Sequence, residues 1–233
     1  SQTGGFKGAG FSEMAPIENL RKGLLPPESG QHIHSLSDGF AMRAAPFGIG
    51  AFGNPNLAAK LAYEDGIVSH AGDGVYAGQA VAAAIAAALA IENAQDLRWM
   101  EVVKAALSVI PEDSWTTRSI TRGVEPLYRE IVCDYYFWSD LAPEAVGLAF
   151  GLIAASRGSF YHSVLGGVNI GRDTDTIAAI AGAITGALWG VDQIPEKWGG
   201  RIQKVNGICI KVVEGMHVLD TADALVNLVR REN

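Results

Sequence analysis

Asp173 and Asp175 stand two residues apart in Gly171-Arg172-Asp173-Thr174-Asp175-Thr176, with a hydroxyl between them and another after them. Two carboxylates and a threonine hydroxyl at this spacing suit a hard cation such as Mg2+, which takes oxygen ligands from a few carboxylates, water and substrate. The same residue types also suit a helix start, where their oxygens accept bonds from free N–H groups and their charge faces the positive end of the helix dipole. The short motif leaves both readings open. A second polar stretch, Ser37-Asp38-Gly39-Phe40-Ala41-Met42-Arg43, reads from its residues as a turn feeding a helix, with Arg43 solvated or salt-bridged. His70 lies in the turn Ser69-His70-Ala71-Gly72-Asp73-Gly74, and as a residue type it has no assigned duty there. His32 and His34 have a spacing that can suit zinc, but no third ligand is evident and the loop is flanked by proline.

The elements that must position these residues read as helices. Residues 15–25 fit a helix that stops at Pro26-Pro27, since proline removes a donor and restricts the residue before it. A loop is expected over 26–38, and a Gly- and Pro-studded stretch over 47–55 precedes helical spacing in 56–65. Further helices are expected over about 75–92, 99–110, 114–137, 143–156, 159–165, 175–189 and 221–231. Residues 208–213 are β-branched and could form one short strand, without an alternating series beside it. In the helix that follows the acidic motif, Ala178, Gly182, Gly186 and Gly190 recur at spacing four, which puts small residues on one face where a neighbour can come close.

The chain has 233 residues, enough for one large domain spanning 1–233, and its 48% hydrophobic and 18% charged content marks a folded globular protein. A net charge of -7 argues against nucleic-acid binding, which depends on Lys and Arg neutralising phosphates. Two distant cysteines, Cys133 and Cys209, form neither a disulfide framework nor a zinc knuckle, and a cytoplasmic location is expected. The opening ten residues read as a loose lead-in without signal-peptide features. The longest apolar run, Val75 to Ile91, is Ala-rich and contains Gln79, so a buried helix is expected rather than a membrane span.

The run from Gly166-Gly167-Val168-Asn169-Ile170 through the acidic motif to Gly182-Ala183 closely resembles the C-terminal signature of the ADP-ribosylglycohydrolase family. Two earlier segments resemble that family in the same order. Residues 37–46 are similar to its Gly-Asn-Gly-x-x-Met-Arg-x-x-Pro loop, with Ser37 and Asp38 in place of Gly and Asn. Ser69-His70 followed by Tyr76-Ala77-Gly78 is similar to its Thr-His turn ahead of an Ala-rich helix, and residues 17–29 look like a stretch of its bacterial members. The resemblance covers about residues 17–190. It implies an all-α, compact orthogonal bundle of helices, of which this chain is a portion.

What the resemblance implies for function is a magnesium-dependent hydrolase that cleaves the glycosidic bond between ADP-ribose and an acceptor such as a protein side chain. Asp173, Asp175 and Thr176 would bind a pair of Mg2+ ions, with Asp175 also orienting the attacking water as the catalytic residue. Ser37, Asp38, Gly39, Arg43, His70, Tyr76, Gly78 and Gly171 would contact ADP-ribose or an ADP-ribosylated protein. The family's Gly-Asp-Ala-Leu-Gly-like and Thr-Asp-Asp-Thr-like motifs do not occur in this sequence. An N-terminal segment or a second polypeptide is therefore expected to complete the site, the alternative being a degenerate member. The rival readings are a non-catalytic ADP-ribose-binding or structural member, because a fold does not guarantee turnover, and a helical scaffold with capped aspartates.

Overall fold

The structure, a computed structural model, describes residues 10–92, 98–124, 136, 138–201, 203–208 and 210–232. Among these residues it holds eleven α-helices and no strand. The helices are α1 (Phe11–Arg21), α2 (Ala45–Gly50), α3 (Pro55–Ser69), α4 (Asp73–Ala90), α5 (Arg98–Ser108), α6 (Trp115–Val124), α7 (Ala142–Ala155), α8 (Phe160–Asn169), α9 (Thr174–Trp189), α10 (Glu196–Gly199) and α11 (Val218–Glu232). The all-α expectation holds.

The core is built on α4. Alanine has the highest intrinsic helix preference, and an Ala-rich helix is thin enough for neighbours to pack on every side. Ala80, Ala82, Ala83, Ala84 and Ala86 are all buried, and α4 touches α2, α3, α5, α6, α7 and α9. By length and composition α4 could cross a membrane, but 67% of it is buried inside the protein, so it serves here as the central core helix.

Two further helix pairs fix the frame around the acidic motif. Helices α6 and α7 meet where backbone lies on backbone: a Cβ added at Gly123 would fall 2.0 Å from the Gly147 carbonyl oxygen. Helices α8 and α9 form an antiparallel hairpin whose closest point is Gly167 against Ala178, where an added Cβ would lie 2.7 Å from the Ala178 Cα. The expected small-residue face of α9 is present, but its glycines meet side chains instead of backbone. Gly182 and Gly186 face Val164 and Phe160, while Gly190 has a φ of 78° and ends the helix.

Several boundaries differ from expectation. Residues 47–55 are not all loop, because α2 occupies Ala45–Gly50; Pro46 sits in its first turn, where a missing N–H is harmless. Its Gly48 is a packing residue, 2.5 Å from the Ala82 carbonyl oxygen if given a Cβ. Helix α1 begins at Phe11, four residues before the expected start, and brings Glu13 into its first turn. Among the described residues of 208–213 no strand forms; Lys211–Val213 is a 3-10 turn with Val212 exposed, since a β-branched run without a partner strand gains nothing from extension. The expected continuation of the 114–137 helix lies mostly outside the described residues, as do Ser1 to Ala9, Cys133 and Cys209.

Candidate functional site

Asp173 occupies the N-cap position of α9, with φ -81° and ψ 77°, yet its side chain makes no capping hydrogen bond. The backbone closes the turn instead: the Ile177 N–H donates to the Asp173 carbonyl at 3.0 Å. A contrasting aspartate shows what capping looks like in this molecule. Asp73, at the start of α4, accepts from the Thr116 N–H at 2.7 Å and the Thr116 hydroxyl at 2.9 Å, and so caps α6. The Asp173 carboxylate instead faces Asp175 and Asp38, and the Thr176 hydroxyl lies beside it. Thr176 is buried and its hydroxyl also reaches the Met42 sulfur at 3.6 Å.

The loop before α9 is held by an ion pair. Arg172, at a left-handed φ of 66°, turns its guanidinium to Glu144 on α7, with Nη2 donating to Oε2 at 2.8 Å and to the Tyr136 carbonyl at 3.1 Å. Glu144 is fully buried, and burial pushes its carboxyl up although Arg172 opposes the shift.

Ser37, Asp38 and Gly39 arrive from the other side of the cleft. The Asp38 N–H donates to the Asp140 carbonyl at 3.0 Å and the Ala142 N–H donates to the Leu36 carbonyl at 2.9 Å, so the loop is stitched to the lead-in of α7. The next residue, Phe40, has no exposed surface, and its ring fills the space over Gly66 of α3 and Gly78 of α4; a Cβ on Gly78 would come within 2.1 Å of it.

Behind the loop runs a polar chain. Arg43 Nη2 donates to Ser69 Oγ at 2.8 Å, and Ser69 Oγ lies 2.8 Å from His70 Nδ1. Ser37 Oγ lies 3.3 Å from Nε2 on the other side of the ring, so one of the two hydroxyls donates to the neutral imidazole and the other accepts from it. His70 is buried and stays neutral, its pKa pressed down to about 3 by burial first and then by the Arg43 charge and His32. Ser37 Oγ accepts from the Gly39 N–H at 3.3 Å.

These elements enclose a cavity of about 330 Å³ bordered by Ser37, Asp38, Gly39, Asp173, Asp175 and Thr176, together with Gly10, Ser12, Glu13, His34, Met42 and Asp140. Five of its residues are acidic and none of the described lining residues is Lys or Arg. The carboxyl of Asp38 is pushed up to about 9, by burial first and then by the Asp173 charge. Burial, followed by its hydrogen-bonded neighbour Asp175, also raises Asp173.

Six of the residues singled out in the sequence therefore meet at one place. Arg43, His70, Tyr76, Gly78 and Gly171 do not line the cavity. Arg43 pairs with Asp65 at 3.2 Å and lies over the Phe40 ring, His70 stands behind Ser37, Gly78 accommodates Phe40, and Gly171 is exposed at φ 83°. Tyr76 is half-buried against the core on α4. Glu13, His34, Met42 and Asp140 line the cavity without having been singled out as its residues. Glu13 is brought in by the packing of α1, a long-range event that no local pattern announces. His34 had a visible neighbour in His32, but His32 turns away to the Ser69 carbonyl at 2.8 Å.

The fold and cleft define an all-helical protein with an acidic, oxygen-lined site at the head of a small-residue helix. The ADP-ribosylglycohydrolase family model matches residues 1–233, and the chain belongs to that family. It is 32% identical over 198 residues to an archaeal protein from Archaeoglobus fulgidus described only as uncharacterized, covering 81% of this chain and 60% of that one. A shorter match, 46% identical over 46 residues, is to human ADP-ribosylhydrolase ARH3, covering 20% of this chain and 13% of the relative. The mouse protein of that name matches at 44% over 46 residues, covering 20% of this chain and 12% of the relative. The chain thus spans about 60% of the archaeal relative and a much smaller part of the mammalian ones.

Proposed function

We propose that this chain forms the larger part of a magnesium-dependent ADP-ribosyl hydrolase, cutting the N- or O-glycosidic bond between ADP-ribose and an acceptor such as a protein side chain. One observation carries the reading: Asp173 stands at a helix cap and caps nothing, its carboxylate turned to Asp38 and Asp175 in a cavity whose described lining has no Lys or Arg. Oxygen donors of this kind, with one buried carboxylate oxygen of Asp38 lacking any hydrogen-bond partner, fit a hard divalent cation. Asp173, Asp175 and Thr176 would hold it. Bound Mg2+ supplies positive charge that orients ribose hydroxyls and makes a water acidic enough to attack the anomeric carbon.

The chain's own groups do the rest. Asp175 is exposed at the mouth, where it orients the water and stabilises positive charge building on the ribose ring. Ser37 presents its hydroxyl to the ligand from a loop fixed by His70 and Phe40. Family membership and the match to proteins named ADP-ribosylhydrolase support the substrate class. A cytoplasmic location, and an N-terminal segment or second polypeptide contributing further ligands, belong to the same proposal.

A second reading, a non-catalytic ADP-ribose binder or structural member of the fold, is favoured by one fact. Among the described residues no three His, Cys, Asp or Glu side chains are gathered tightly enough to hold a metal ion as they stand. Calorimetry with ADP-ribose, with and without Mg2+, separates the two: magnesium-dependent binding is expected for the enzyme and magnesium-independent binding for the reader. Release of ADP-ribose from serine- and arginine-modified peptides then tests turnover. An inert chain, even with a family N-terminal segment added in trans, would rule the hydrolase out.

A further inference from the structure

Asp38 is 4% exposed, borders the acidic cavity, and leaves its Oδ2 without a hydrogen-bond partner. It cannot withdraw. Its N–H is bound to the Asp140 carbonyl, its carbonyl accepts from the Met42 N–H at 3.1 Å, and Phe40 two residues on is locked between glycines of α3 and α4. Among the described residues no lysine or arginine lines that cavity. The nearest guanidinium on its own loop, that of Arg43, is directed to Asp65, Ser69, the Gly39 carbonyl and Glu13.

A buried carboxylate in such a place must either take up a proton or meet a cation. Its neighbours favour the cation. Asp38, Asp173 and Asp175 border the same cavity, and the Asp173 charge acts on Asp38 as Asp175 acts on Asp173.

We propose that Asp38 is a third cation-binding carboxylate, and that this chain holds a divalent cation between Asp38 and Asp173 at the head of α9, with Thr176 beside it. This rests on the hydrolase reading above but makes a separate claim about one residue.

The test uses the whole chain and Mn2+ as the probe, followed by the loss of the free-ion electron paramagnetic resonance signal. Asp38→Asn keeps the shape and removes the charge, and Asp140→Asn removes a charge that faces the same cavity from its exposed rim. Asp38→Asn is expected to weaken Mn2+ binding by more than about 10-fold, the scale of losing an important group at a metal site, with Asp140→Asn changing it by less than about 3-fold. Asp38→Ser repeats the measurement with a smaller neutral side chain. Melting without metal gives an independent readout: Asp38→Asn should melt higher than the parent and lose the rise that Mn2+ gives the parent.

Three results overturn the proposal. If Asp38→Asn binds Mn2+ like the parent while Asp173→Asn does not, Asp38 is not a ligand and the hydrolase reading stands. If Asp38→Asn and Asp140→Asn weaken binding equally, the effect is the field of the cavity. If the parent leaves the signal untouched, the cation part of the hydrolase reading falls as well, and ADP-ribose calorimetry decides the remainder.

Discussion

Arg172 and Glu144 form a buried ion pair that ties the acidic loop to the first turn of α7, with Arg172 Nη2 donating to Glu144 Oε2 at 2.8 Å. Removing one partner of such a pair strands the other charge, which costs more than the pair itself contributes. Glu144→Ala should destabilise the protein by about 3 kcal/mol, the low end for a broken buried pair because Arg172 keeps some solvent contact. Urea unfolding measures this. A loss below about 1 kcal/mol, the range of exposed pairs, would mean that the loop is anchored elsewhere.

The two aspartates at helix starts should respond in opposite ways. Asp73→Ala removes the bonds to the Thr116 N–H and hydroxyl and should cost about 1 to 2 kcal/mol. Asp173→Ala removes no capping bond and relieves a carboxylate crowded by Asp38 and Asp175, so metal-free stability should be unchanged or higher. Thermal melting of the two variants in a chelator settles the matter, and a marked fall for Asp173→Ala would return that residue to a capping role.

Glycines that look alike in the sequence should differ when given a methyl group. Gly78→Ala drives a Cβ to within 2.1 Å of the immobile Phe40 ring and should destabilise by about 1 to 3 kcal/mol, as overpacking does. Gly186→Ala meets only Phe160 carbon at 3.8 Å, an ordinary contact, and should stabilise α9 by up to about 1 kcal/mol through helix preference. Paired denaturation curves test this, and equal effects would contradict the packing described for Phe40.

His70 gives a pH signature. Its folded pKa is about 3 against 6.5 for the free side chain, so between those values the unfolded chain binds the extra proton and the folded one does not. The stability linked to His70 is therefore intact above pH 6.5 and declines as pH falls towards 3. Replacement by Gln, neutral throughout, should flatten the acid limb of the stability profile by up to about 1.4 kcal/mol per pH unit. Parallel profiles for parent and variant would show that His70 is protonated in the folded state.

Much of this was legible from residues alone, and the failures share a cause. The start of α9 fell within one residue of expectation because Asp, Thr and a small-residue helix are local signals. Central burial of α4 was equally plain in its alanines. What local signals could not supply was partnership across the chain. Glu13 enters the cavity from α1, and Arg43, which resembles a ligand-contacting residue, is occupied by Asp65 and Ser69 from α3. Gly48 read as a loop former, whereas its role is set by the Ala82 carbonyl above it. Asp173 was ambiguous between cap and ligand, and only coordinates could show which atoms its carboxylate faces.

The grip of Gly66 and Gly78 on Phe40 also bears on what binding in the cleft costs. A ring seated between two helices of the core holds the polypeptide immediately before it in one shape. Asp38 is thereby held in place before anything binds, and an incoming partner finds that wall already erected, with little ordering left to oppose its binding.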